Sequence, residues 1–160
     1  MKESDKKNVL ISLSKAVNET IKCKKELISN QDEINNIINL VYRKIKSGGK
    51  LILCGNGGSA ADAQHLAAEF LIRLRPKINR KPIQAISLAL DTSTITACGN
   101  DYNFDQIFVR PFSALVKKND VLLAISTSGN SKNIIEVLKV AKKKKISCIS
   151  FLGFNGGKAK

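Results

Sequence analysis

The stretch LILCGNGGSAADAQHLAAEF, residues 51–70, constrains this chain more than any other, because it sets a strand, a glycine turn and a helix in immediate succession. Leu51, Ile52 and Leu53 form a wholly apolar run, the pattern of a strand buried on both faces of a parallel sheet. Gly55, Gly57 and Gly58 then let the backbone turn at once. From Ala60 onward the alanines, Leu66 and Phe70 favour a helix, with Ser59 as its expected N-cap. The free N–H groups of that helix face back into the turn and make it attractive to an anion such as a phosphate. His65 and Glu69 stand four residues apart and share a face, so an imidazole and a carboxylate can act on one ligand or one metal ion. A solvated ion pair has the same spacing.

Two other glycine-loop chemistries fit less well. Gly55, Gly57 and Ala60 match the looser dinucleotide fingerprint, but the acidic residue expected about 20 positions on does not close a next strand, and Asp91 comes too late. Gly49 and Lys50 precede the strand instead of following it, so no Walker A loop is present.

A second loop repeats the design. Val121 to Ile125 is another apolar strand, running into Ser126, Thr127, Ser128, Gly129, Asn130 and Ser131, and then into an amphipathic helix with Ile134, Ile135, Val137, Leu138 and Val140. Hydroxyls, turn amides and the positive end of a helix converge there without a charged residue, which suits a phosphate better than the first loop does. Two such loops at strand ends predict a ligand crevice where the strand order of an open parallel sheet reverses.

The remaining elements follow from periodicity. Residues 8–28, with Val9, Leu10, Leu13, Val17, Ile21 and Ile28, and then Ile34, Ile37, Ile38, Val41 and Ile45, predict two amphipathic helices closed by Gly48 and Gly49. Arg73 to Pro82 reads as a basic loop, Ile83 to Leu90 as the second strand, and Thr92 to Asp101 as a short polar connection. Phe104 to Val116 reads as a helix limited or kinked by Pro111, and Ile146 to Phe151 as a fourth strand before Gly153, Gly156 and Gly157. A chain of 160 residues with 43% hydrophobic content makes one domain, 1–160, with a helical pair over 1–47 and an α/β core over 51–160. No apolar run approaches the ~18 residues of a membrane span and none at the N-terminus resembles a signal peptide, so a cytoplasmic protein is expected. Cys23, Cys54, Cys98 and Cys148 are scattered singly and read as small buried hydrophobes. The net charge of +14 is nearly all lysine, densest at Lys142 to Lys145, without interleaved aromatics. That reads as a solvated surface that draws phosphorylated substrates, and it disfavours nucleic acid.

GNGGSAADAQHLAAEF, the GND at Gly99 to Asp101 and ISTSGNS at Ile125 to Ser131 together resemble the phosphoheptose isomerases, a family of sugar isomerase (SIS) domains. The three motifs come in the family's order over nearly the whole chain, the two N-terminal helices included. The resemblance implies a flavodoxin-like parallel sheet preceded by two helices, a homotetramer, and conversion of sedoheptulose 7-phosphate to glycero-manno-heptose 7-phosphate for cell-envelope heptose. It also implies sugar-phosphate contacts at Asn56, Gly57, Gly58, Asn100, Asp101, Ser126, Thr127, Ser128 and Ser131, with Ser59 beside them. Zinc is implied at His65 and Glu69. Ketose-to-aldose conversion moves a proton between carbons 1 and 2 and needs a carboxylate base, for which Glu69 is the candidate.

Family members continue through a fifth strand and a last helix that supplies a glutamine and a histidine to the metal. This sequence lacks that segment and holds one histidine. A catalytic zinc takes about three protein ligands, and His65 with Glu69 provides two. The full-length gene product is therefore expected to be an isomerase, and the 160-residue form by itself to bind sugar phosphate with little turnover and weak zinc. A regulatory SIS protein resembling the one that associates with the bacterial replication initiator stays open, although Glu69 favours the enzyme branch, as does a generic sugar-phosphate or nucleic-acid binding module.

Overall fold

A computed structural model describes residues 3–160, with side chains from Ile11 onward. The chain divides into two compact units, Met1–Asn39 and Leu40–Lys160. The first contains α1 (Glu3–Ser29) and the opening of α2 (Gln31–Lys46), which continues into the second. Ile11, Leu13, Val17, Ile21 and Ile28 are exposed along α1, as are Ile34 and Ile38 on α2. The side chains of Val9 and Leu10, also predicted for the first stripe, lie outside the described residues. Among the described residues no helix is long and apolar enough to cross a membrane.

The second unit is built on four parallel strands in the order β2-β1-β3-β4, where β1 is Leu51–Gly55, β2 Ala85–Ser87, β3 Val121–Ser126 and β4 Ser147–Leu152. Every residue of β1 is buried, as its unbroken apolar run requires at the centre of a parallel sheet. Ile52, Cys54, Leu122 and Ala124 face one core cluster with Cys98 of α4 (Thr92–Asp101), Phe112 of α5 (Val109–Leu115), and Ile134 and Val137 of α6 (Lys132–Lys143). Leu51, Leu53, Val121 and Leu123 alternate with them toward the other face. There α3 (Gly58–Leu71) brings the small side chains of Ala63 and Ala67 against β1 and β2.

Four local expectations are corrected. The second strand is three residues long, not eight, because after Ser87 the chain turns, with the Leu90 N–H donating to the Ser87 carbonyl. Thr92–Asp101 is a helix: Asp91 caps it by accepting from the Ser93 N–H, and burial of Cys98 outweighs the poor helix propensity of its threonines. Phe104 to Val116 breaks into a 3₁₀ turn, Phe104–Gln106, and the short α5, whose first turn accommodates Pro111. Ser59 is not the cap of α3, since the helix starts at Gly58 behind Gly57, at φ 55°, without a side-chain cap. Of the cysteines, Cys54 and Cys98 are buried as expected, whereas Cys23 and Cys148 are exposed.

The N-terminal edge of the sheet is tied by one carboxylate. Asp120 is 1% exposed and accepts from the Lys50 N–H at 2.9 Å, the Lys50 ammonium at 2.5 Å and the Lys117 N–H at 2.7 Å. Burial pushes the Asp120 carboxyl up, but the hydrogen bonds from Lys50 and Lys117 outweigh it and hold the group below its ordinary value of 3.8. A carboxyl depressed in the folded state contributes fully above its unfolded pKa and loses that contribution as pH falls through the folded value. Unfolding by urea is therefore expected to become easier below about pH 4. Asp120→Asn should destabilise by about 3 kcal/mol at neutral pH and flatten that acid limb; a variant as stable as the parent at pH 7 would dismiss the tie.

Candidate functional site

Adjacent in the sheet, β1 and β3 send their following helices to opposite sides, α3 toward β2 and α6 toward β4. Their C-terminal loops are left side by side at the reversal of strand order, the place where open α/β sheets bind ligands. A pocket of about 180 Å³ opens there, lined by Asn56 and Ser59 from the first loop and by Ile125, Ser126, Thr127, Ser128 and Ser131 from the second. Six of the predicted contact residues thus meet in one place.

The second loop is built as an anion cradle. Ser126 Oγ accepts from the Gly129 N–H at 3.1 Å and Ser128 Oγ from the Asn130 N–H at 3.1 Å, which folds the loop back on itself. The N–H groups of Thr127, Ser128 and Ser131 have no acceptor among the described residues, and α6 begins directly behind them. Free amides, hydroxyl donors and a helix N-terminus favour a dianion without supplying formal charge.

The rear of the cradle is a close contact between backbones. Gly153 donates its N–H to the Ser126 carbonyl, Ala159 donates to the Gly129 carbonyl, and the Lys158 N–H reaches Asn130 Oδ1 at 3.2 Å. Gly129 has φ +63°, and a Cβ there would lie 1.9 Å from the Gly156 carbonyl oxygen. Both backbone conformation and space demand glycine. Sequence reasoning singled out Gly153, Gly156 and Gly157 only as a terminus of the last strand, because a contact across 27 residues leaves no local mark.

The other predicted residues stand elsewhere. Gly57 and Gly58 are exposed at the start of α3. Asn100 and Asp101 are exposed at the end of α4, where the Asn100 amide donates to Asp101 Oδ1 at 2.9 Å, and they do not line the pocket. His65 Nε2 is 3.5 Å from Glu69 Oε1 on α3. Glu69 Oε2 is buried without a partner, an arrangement that native structures rarely leave unexplained. Glu69 lies ten residues along α3 from Ser59, about 15 Å at the rise of an α-helix, and does not line the pocket. Arg80, unremarked in the sequence, holds the end of α3 by donating to the Phe70 carbonyl at 2.9 Å and to the Glu69 carbonyl.

A model of the SIS domain family matches residues 15–153. The phosphoheptose isomerase of Campylobacter concisus is 47% identical, over 84% of this chain and 75% of the relative, and that of Helicobacter pylori is 46% identical, over 86% and 70%. The chain belongs to the SIS domain family, in its phosphoheptose isomerase branch. Solved phosphoheptose isomerases share the fold: that of Neisseria gonorrhoeae superposes with a TM-score of 0.83 at 37% identity, over 96% of this chain and 78% of its own. That of Francisella tularensis gives 0.85 at 34%, over 99% and 80%. The chain spans 65% of the phosphoheptose isomerase of Clostridium acetobutylicum, to which it is 49% identical.

The fit of zinc to this SIS domain is partial. An imidazole nitrogen and an orphaned carboxylate oxygen on one helix face are suitable donors, but no group of three His, Cys, Asp or Glu side chains able to hold a metal occurs among the described residues. The cysteines do not make up the number, since none of those described stands with His65 and Glu69 in such a group. The described residues therefore do not form a complete zinc site.

Gly129→Ala is expected to separate the cradle from its rear support. Sugar-phosphate affinity should drop at least tenfold while the sheet stays folded, because the side chain must displace the Gly156 carbonyl. Affinity equal to that of the parent, by calorimetry, would show that the contact is dispensable.

Proposed function

We propose that the protein is a ketose–aldose isomerase that converts sedoheptulose 7-phosphate to glycero-manno-heptose 7-phosphate, in the cytoplasm, for cell-envelope heptose. The observation that carries this is the neutral hydroxyl-and-amide pocket at the switch of strand order, in a chain whose relatives are phosphoheptose isomerases. In this reading Ser126, Thr127, Ser128 and Ser131 hold the 7-phosphate, with Asn56 and Ser59 on its other side. Gly57 and Gly58 shape the loop beside them, and Asn100 and Asp101 bind the sugar. Glu69 removes the proton from carbon 1 of the ketose, leaving an enediolate, and returns it to carbon 2 while the O1 hydroxyl proton passes to O2 and the carbonyl forms at carbon 1. A seven-carbon sugar phosphate is shorter than the length of α3 that separates Glu69 from the cradle. Catalysis then requires a second copy of the chain, and a homotetramer that sets Glu69 of one subunit over the cradle of another supplies it. Zinc enters this reading only with a further ligand from outside the His65–Glu69 pair, where it would stabilise an enediolate oxygen, and the proton transfer assigned to Glu69 is independent of it.

Complementation between two inactive variants tests base, cradle and assembly together. Glu69→Gln should abolish turnover while sparing affinity. The Ser126→Ala, Ser128→Ala, Ser131→Ala triple variant should weaken sugar-phosphate binding by about 3 kcal/mol or more. Mixing the two after dissociation should restore activity, because some mixed sites combine an intact base with an intact cradle. Undiminished affinity in the triple variant would remove the phosphate assignment, and a mixture that stays inactive would remove the shared site. Binding without turnover by the parent would favour the non-catalytic regulatory reading.

A further inference from the structure

Asn133 belongs to none of the recognisable motifs, yet it is among the most completely buried polar side chains of the chain, at 2% exposure. It sits in the first turn of α6 on the stripe formed by Ile134, Val137 and Ala141. Its amide faces that of Asn56 in a closed ring: Asn56 Nδ2 donates to Asn133 Oδ1 at 2.9 Å, and Asn133 Nδ2 donates back to Asn56 Oδ1 at 2.8 Å. Asn133 Oδ1 also accepts from the Ile134 N–H at 2.9 Å, so the same oxygen caps the helix. We propose that Asn133 is a positioning residue of the phosphate cradle, clamping the loop after β1 to the loop after β3.

Several observations support that role. Asn56 and Asn133 are 77 residues apart in sequence, and their paired amides join the loop after β1 to the first turn of α6, into which the loop after β3 runs. Asn56 lines the pocket, and an amide nitrogen has two hydrogens. With one held by Asn133, the other is left in a defined orientation for a ligand oxygen. Neutrality matters as well: an Asp at either place would accept but not donate, and would set a negative charge beside the phosphate. Unpaired, the buried Asn133 amide would be costly on an apolar stripe, so the clamp has one stable arrangement.

The inference rests on the sugar-phosphate reading for the identity of the ligand, and its test keeps the two apart. KM and kcat with sedoheptulose 7-phosphate, the Kd for inorganic phosphate and the melting temperature are measured for Asn133→Ala, Asn56→Ala, the double variant and Val137→Ala. Val137 is fully buried one turn further along α6 and lines no part of the pocket. Asn133→Ala should raise KM and the phosphate Kd about tenfold with kcat little changed. The double variant should bind no more weakly than Asn56→Ala alone, because both substitutions break one ring. Val137→Ala should lower the melting temperature and leave both constants at parental values. Should Asn133→Ala fail to fold, Asn133→Ser keeps an oxygen near the Ile134 N–H but cannot reach Asn56, and the same weakening is expected of it. Parental constants in the Asn133 variant, additive losses in the double variant, or an equal loss in Val137→Ala would each overturn the clamp. A parent that binds inorganic phosphate without turning over sugar defeats the isomerase reading while the phosphate Kd still decides the clamp. A parent that binds no phosphate defeats both.

Discussion

The β1–β3 ladder is the interaction on which the rest of the molecule depends. Leu51 to Gly55 run in parallel beside Val121 to Ile125, residue for residue, although 70 positions separate them in the chain. Because β1 hands on to β2 on one side and β3 to β4 on the other, the helices that follow part company at the top of this pair. The gap between two diverging helix starts is the pocket. At the bottom of the same pair, Lys50 with two hydrogen bonds and Lys117 with one close the edge on the buried Asp120 carboxylate. One end of the ladder is locked by charge, and the other is left open and polar.

In the proposed function the open end recognises its anion with neutral groups. A lysine in the cradle would attract phosphate at longer range, but amides and hydroxyls discriminate by direction and hold their geometry whatever the pH. That geometry has to be enforced from behind, and two devices enforce it. The Gly129 backbone abuts the Gly156 carbonyl, and the Asn56–Asn133 ring joins the two loops. In the same proposal the net charge of +14 acts as a field that draws phosphorylated ligands in, while recognition lies with uncharged donors.

Glu69 and His65 pose a different problem. They are held on the middle and end of α3, with Arg80 fixing the carbonyls of the last turn, and Glu69 stands about 15 Å along the helix from Ser59. An unpartnered, buried carboxylate oxygen is an incomplete arrangement within a single chain. The exposed apolar stripes of α1 and α2 are consistent with further burial between copies.

Strand β1, strand β3, the glycine turn and the serine loop were legible because each is a local pattern: an apolar run, a residue type that permits a turn, hydroxyls at a helix start. The His65–Glu69 pair was legible for the same reason, since helical spacing alone sets two side chains on one face. Helix α4 was misread because its threonines speak against a helix, and what favours one, burial of Cys98 of α4 in the core cluster, exists only once the sheet is assembled. Asn133 was invisible because an asparagine on an apolar stripe looks like an ordinary helix-start residue until its partner 77 positions away is beside it. The sequence by itself determined which segments must be buried, where the chain must turn and which side chains could bind an anion or move a proton, since those depend on neighbours within a few residues. Only the tertiary structure decided that the two loops share one pocket and that the amides of Asn56 and Asn133 meet behind it, because those facts depend on strand order, which no local pattern encodes.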